Sequence, residues 1–182
     1  LLGVILLDSV NLSPEVGKVT QRDRDAIQDL LERTNWQEEM SPDARTALGM
    51  ISASDVPDTA VFFNLLQNAK YDTSFWVSLS ITDALQYDYK EFLYEEKDDS
   101  DRFGTFGIST VLMPLENCFA KEDALPGVED FMGHVGVSLL GIMFAFIDDQ
   151  QHLHRQFALC GEADTAPMAD LVDFLLNAKY TL

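Results

Sequence analysis

Val137-Ser138-Leu139-Leu140-Gly141-Ile142-Met143-Phe144-Ala145-Phe146-Ile147 is the longest apolar run in the body of this 182-residue chain. It is too short to span a bilayer, which takes about 20 apolar residues as a helix. It suits a central strand covered on both faces. Asp148-Asp149-Gln150-Gln151 then reads as a turn, and Leu153 to Cys160 alternates as a neighbouring antiparallel strand would. Upstream, Phe103 to Met113 also alternates, with Phe106, Ile108, Thr110 and Leu112 on one side, until Pro114 ends it. Glu91 to Glu95 reads as a further strand, and the acidic stretch Glu95 to Asp101 as a solvated loop. A helix is expected over Val128 to His134. Another starts near Thr165 and Pro167 and carries Met168, Leu171, Val172, Leu175 and Leu176 at helical spacing. Tyr180-Thr181-Leu182 reads as the start of a last strand. The expected fold is α/β (α+β): a mixed sheet of about four or five strands flanked by helices, with a helical arm before it.

The arm begins with Leu1-Leu2-Gly3-Val4-Ile5-Leu6-Leu7-Asp8-Ser9-Val10-Asn11, the end of a buried element that runs into a carboxylate. Pro14, Gly17 and Lys18 mark a loop. Thr20, with Asp23 three residues on, caps a helix running to about Arg33, and Ile27, Leu30 and Leu31 lie on one face. Asn35 to Asp55 is uneven and reads as a linker with one short helix near Asp43 to Leu48. Asp55 and Pro57 suit the start of the next helix, in which Phe62, Leu65, Leu66 and Ala69 follow at i, i+3, i+4 and i+7. Lys70 to Ser74 breaks it, and Ser80 with Asp83 caps a further short helix.

The net charge is −19, from 31 acidic and 12 basic residues. A field of that sign opposes binding to nucleic acid or to an anionic membrane. It also repels a multiply charged anion unless metal ions or a local basic cluster reverse it. The two cysteines, Cys118 and Cys160, sit beside apolar residues and form no C-x-x-C, which fits reduced buried thiols in a cytoplasmic protein. The first residues lack the basic start and small-residue cleavage site of a signal peptide.

Few residues offer chemistry. Asp8 reads either as a helix-end or turn residue or as a ligand for a hard divalent metal, which prefers carboxylate oxygen. Lys18 and Thr20 follow a glycine and precede a helix N-terminus, a geometry that can hold phosphate, but no Walker A spacing occurs. His152 and His154 point the same way if extended, with Asp148 and Asp149 nearby, and read as surface histidines or as part of a metal site. No G-x-S-x-G or S-x-x-K appears.

Ile5-Leu6-Leu7-Asp8-Ser9-Val10-Asn11-Leu12, followed by Gly17-Lys18-Val19-Thr20 and an acidic helix, resembles the last motif of the DHH phosphoesterase domain as found in prune-type exopolyphosphatases. Phe63 to Ser74 resembles the opening of the DHHA2 domain. Leu85-Gln86-Tyr87-Asp88-Tyr89-Lys90-Glu91-Phe92 resembles the landmark shared with family II inorganic pyrophosphatases. Phe106 to Val111 and Arg155 to Cys160 sit where that family has strands. The resemblance runs through nearly the whole chain in order.

It implies residues 1–52 as the tail of a DHH domain with its linker, and 53–182 as a C-terminally incomplete DHHA2 domain. It implies a phosphoanhydride hydrolase acting on polyphosphate or pyrophosphate with Mn2+ or Mg2+, two ions about 4 Å apart activating a water. Asp8 matches the family's last metal-binding Asp, and Asn11, Lys18 and Lys70 are the implied substrate contacts. The family's earlier metal motifs and its Ser-Arg-Lys-Lys segment are absent, and Phe75, Trp76 and Val77 stand where pyrophosphatases carry a lysine. The chain alone is therefore expected to be inactive. The other reading is a catalytically inactive prune-like module that binds a protein partner, with Phe75-Trp76 exposed for it.

Overall fold

The computed structural model describes residues 1–52, 54–96, 99–150, 152–161 and 166–177. Two compact units divide the chain, Leu1–Lys70 and Tyr71–Leu182. No helix among the described residues is long and apolar enough to cross a membrane.

The first unit is helical. Its elements are α1 (Leu2–Asp8), a 3-10 turn (Pro14–Val16), α2 (Gln21–Arg33), α3 (Trp36–Glu39), α4 (Pro42–Ala47) and α5 (Thr59–Lys70). The opening apolar run is thus a helix, with Leu2 and Leu6 on its buried side. They join Ile27, Trp36, Leu48 and Met50 in a core on which Phe62 and Phe63 pack. α1 lies so near α5 that a Cβ on Gly3 would come within 2.7 Å of Leu66 Cδ1.

The expected cap on α2 is present. The Thr20 Oγ1 accepts from the Asp23 N–H, and the Thr20 N–H donates back to the Asp23 carboxylate at 2.8 Å. The stretch expected to carry one short helix holds two, α3 and α4. α5 starts at Thr59 rather than at Asp55. The Asp55 carboxylate is engaged upstream, accepting the N–H groups of Ile51 and Ser52 at 2.7 Å each. Asp58 does the capping instead, accepting from Ala60 and Val61 at 2.8 and 3.0 Å. Pro57 is fully buried in the turn between them.

The second unit is α+β. It comprises α6 (Thr73–Ser78), α7 (Ile81–Gln86), β1 (Tyr89–Glu96), β2 (Asp99–Val111), α8 (Leu115–Phe119), α9 (Ala124–Val135), β3 (Leu139–Ile147), β4 (Leu153–Gly161) and α10 (Ala166–Asn177). The sheet has four strands in the order β1-β2-β3-β4, so β3 is interior as its apolar run requires. β1 and β2 pair antiparallel, β2 and β3 parallel, and β3 and β4 antiparallel. The parallel pair needs a crossover, and α8 with α9 makes it. The acidic stretch expected to be a loop instead extends the hairpin: Glu95 and Glu96 belong to β1, and Asp99 to Asp101 to β2. The strand expected at Tyr180 lies outside the described residues.

One face of the sheet carries the core. Val111, Leu140, Ile142 and Phe144 meet Ile81, Ala84, Leu85, Val128 and Phe131 of α7 and α9. Burying each large side chain contributes about 1.5–3 kcal/mol. α7 and α9 are in close approach at Gly127, where a Cβ would fall 2.8 Å from the Ile81 Cβ. The inward residues of β2 are Gly107, Ser109 and Val111, whereas the larger Phe106, Ile108 and Thr110 line the second face, half-buried. Size decides this face: the Tyr89 ring lies over Gly107, where a Cβ would sit 2.5 Å from it. Ser109 is fully buried, and its hydroxyl has no hydrogen-bond partner among the described residues.

Gln156 ties β4 to the crossover. Its Oε1 accepts from the Leu115 N–H at 2.8 Å, and its Nε2 donates to the Glu116 carboxylate at 3.1 Å. It thereby supplies α8 with an acceptor for a first-turn N–H group that Pro114, at the cap, cannot satisfy through a side chain. Lys121 adds a second tie, donating to the Leu79 carbonyl.

Candidate functional site

α1 ends at Asp8, and the carboxylate is exposed there. No hydrogen bond or ion pair engages it among the described residues. A carboxylate at a helix C-terminus sits at the negative end of the helix dipole, which disfavours the anion and favours a cation beside it. Ser9 follows, buried, with its hydroxyl donating to the Ile5 carbonyl at 2.6 Å and accepting the Leu12 N–H at 3.1 Å. Val10, Asn11 and Leu12 then take left-handed backbone, with φ of 48°, 51° and 60°. Asn11 is half-buried, three residues from Asp8 in the same turn.

Lys18 is exposed, just after Gly17, whose φ of 66° closes the 3-10 turn. The α2 N-terminus beside it is already occupied by its own cap. Both the N–H and the Oγ1 of Thr20 donate to Asp23 Oδ2, at 2.8 and 2.7 Å. Those hydrogen bonds hold the Asp23 carboxyl below its ordinary range. A carboxylate that stays ionised at this helix end disfavours a second anion. Lys70 is the last residue of α5 and is exposed.

The histidines resolve into a turn. Asp148 Oδ1 accepts the N–H groups of Gln150 and His152 at 2.9 and 2.8 Å. Asp148 Oδ2 accepts from His154 Nε2 at 2.7 Å, and His152 Nδ1 lies 3.6 Å away. The His154 ring stacks on Phe146, centroids 5.2 Å apart. The hydrogen bond from His154, then that from the His152 N–H, pull the Asp148 carboxyl down to about 2. Among the described residues no group of three His, Cys, Asp or Glu side chains is arranged to hold a metal ion.

Trp76 is buried and Phe75 is 40% exposed, so the two do not form an exposed pair. Phe75 meets both Trp76 and the exposed Tyr87 edge-to-face, centroids 5.8 and 6.2 Å apart. Cys118 is buried and Cys160 half-buried, both free, and burial pushes both thiols up. Sequence reasoning passed over Ser9 and the left-handed run after it. Asn11 favours that backbone, but Val10 and Leu12 give no sign of it.

No family model matches the chain, and no curated protein matches it. Among solved structures it is similar to a chain described as a Methanococcus jannaschii putative family II inorganic pyrophosphatase, with a TM-score of 0.49 and 19% sequence identity. The alignment covers 90% of this chain and 43% of that one, so this chain spans less than half of that protein's length.

Proposed function

We propose that the chain is part of a metal-dependent phosphoanhydride hydrolase of the prune-like exopolyphosphatase or pyrophosphatase type. In this reading residues 1–52 are the tail of the DHH domain, and 53–182 are the DHHA2 domain that covers the substrate. The ordered run of family-like motifs, from Ile5-Leu6-Leu7-Asp8 to Arg155-Gln156-Phe157-Ala158-Leu159-Cys160, carries the reading. The exposed Asp8 carboxylate at the end of α1, unengaged among the described residues, supports it.

Asp8 is a hard oxygen donor of the kind that suits Mn2+ or Mg2+, but one carboxylate is not a complete site. The remaining ligands are assigned to sequence outside these 182 residues. A bound pair of divalent ions would supply an activated water and a clamp on phosphoryl oxygens. The chain's own part in this reading is to offer Asp8 to the metal and Asn11, Lys18 and Lys70 to polyphosphate or pyrophosphate in the cytoplasm.

Phosphate release tests the reading. The 182-residue chain with Mn2+ is expected to release none from pyrophosphate or tripolyphosphate. A longer natural chain that brings further His and Asp ligands is expected to release it and to lose it on Asp8→Asn. Absence of release from that longer chain overturns the enzyme reading. It would favour the alternative, an inactive prune-like module that binds a protein, for which the exposed Phe75 and Tyr87 rings offer a contact.

A further inference from the structure

Phe75, Trp76 and Tyr87 form one cluster of rings in the second unit. Their centroids lie 5.8, 6.2 and 5.2 Å apart, and each pair meets at a steep angle. Trp76 is buried beneath the other two, at 4% exposure, while Phe75 and Tyr87 are 40% and 64% exposed. Phe75 belongs to α6, and Tyr87 follows α7 with its backbone still helical, at φ −61° and ψ −42°. An aromatic face carries the negative part of the ring's quadrupole and attracts a cation.

A carboxylate stands beside each exposed ring. Asp72 caps α6, accepting the Ser74 hydroxyl at 2.6 Å, the Ser74 N–H at 2.9 Å and the Phe75 N–H. Those hydrogen bonds hold the Asp72 carboxyl below its ordinary range, so it stays ionised next to Phe75. Asp83, exposed, precedes Tyr87 by four residues and so lies one helical turn away on the same side of α7. Two lysines close by in the fold are engaged elsewhere. Lys90 pairs with Asp88, and Lys121 donates to the Leu79 carbonyl. The net charge of −19 adds a field of the same sign.

We propose that the Phe75 and Tyr87 rings, flanked by Asp72 and Asp83, dock an arginine-bearing segment of a basic partner protein. A guanidinium is flat and weakly hydrated, so it stacks on an aromatic face while its N–H groups reach a carboxylate. An ammonium is a strongly hydrated point charge and gains less from a flat ring. An acidic segment is repelled. The inference deepens the protein-binding reading of these rings and rests on it.

The test is NMR titration of the 182-residue chain with a synthetic peptide of arginines spaced by glycine and serine. A second peptide carries citrulline, the neutral isostere, in place of each arginine. Salt is set at about 0.15 M, where a Debye length of about 8 Å suppresses long-range attraction. The arginine peptide is expected to shift amide signals of residues 72–77 and 83–88 before those of the acidic turn at Asp148. Tyr87→Leu is expected to weaken its binding about two- to fivefold, the size of one exposed cation–π contact, and Tyr87→Phe to keep it. Unweakened binding to Tyr87→Leu, or shifts spread evenly over the acidic surface, overturns the docking site in favour of plain charge attraction. Equal binding of the citrulline peptide at these residues overturns the cationic occupant while the protein-binding reading stands. Absence of shifts there with either peptide overturns both.

Discussion

His154 Nε2 lies 2.7 Å from Asp148 Oδ2, so the first residue after the central strand is clamped by a ring on the next strand. The Asp148 carboxyl titrates at about 2 in the folded chain against an ordinary 3.8. A depressed carboxylate contributes stability that is present above its unfolded value and is lost as pH falls through the folded one. Stability from this turn is therefore expected to fade between pH about 4 and 2. The side-chain carboxyl 13C signal of Asp148 is expected to titrate near the lower value, and in His154→Ala to move back toward the ordinary range. An ordinary midpoint in the wild type would show that the clamp is not made.

Gly127 lies against Ile81 with no room for another atom. A Cβ there would meet the Ile81 Cβ at 2.8 Å, an atom fixed to the backbone that cannot swing aside. Gly127→Ala is expected to force α7 and α9 apart and to cost about 1–3 kcal/mol. Melting should fall by about 2–4 °C per kcal/mol for a chain of this size. An unchanged melting temperature would mean that the two helices have slack.

Ser109 has the opposite sign. Its buried hydroxyl finds no partner among the described residues, so it bears a desolvation cost without a compensating bond. Ser109→Ala is expected to leave stability unchanged or to raise it by about 1 kcal/mol. Destabilisation comparable to the loss of a buried hydrogen bond would show that the hydroxyl is satisfied after all.

Thr20 and Asp23 close α2 in both directions. Thr20→Ala removes the cap and is expected to cost about 1 kcal/mol. Hydrogen exchange should quicken at the first turn of α2 before it changes at Ile27. Equal exchange in the wild type and in Thr20→Ala would leave the cap with no energetic role.

Patterns with a period were legible in the sequence. The apolar run Val137–Ile147 gave an interior strand, Leu139–Ile147, because cover on both faces imposes such a run, and Phe62, Leu65, Leu66 and Ala69 fall in α5, although of these four only Phe62 and Leu66 are half-buried there. Caps were legible where the acceptor is local, as at Thr20 and Ser80. At α5 two aspartates competed: Asp55 turned back to Ile51 and Ser52, and no spacing rule separates that choice from a cap at Asp58. On β2 the alternation was right but the larger side chains lie on the half-buried face, because Tyr89 fills the space over Gly107. Around Asp8 the residue types were visible, but the left-handed run was not. The Leu12 N–H donating to Ser9 Oγ and the Asn11 N–H donating to the Leu6 carbonyl hold Val10 and Leu12 in a conformation that neither residue prefers.

Gln156 has a consequence for how the sheet finds its alignment. Side chains alternate between faces, so a one-residue slip of β4 along β3 would carry Gln156 to the opposite face. The Leu115 N–H would lose its acceptor and Glu116 its donor, 41 and 40 residues away in sequence. β4 otherwise offers a weak choice between registers, since Leu153, Phe157 and Leu159 lie on one of its sides and Ala158 and Cys160 on the other. A single amide thus favours one strand alignment, the one in which the first N–H of the crossover helix keeps its acceptor.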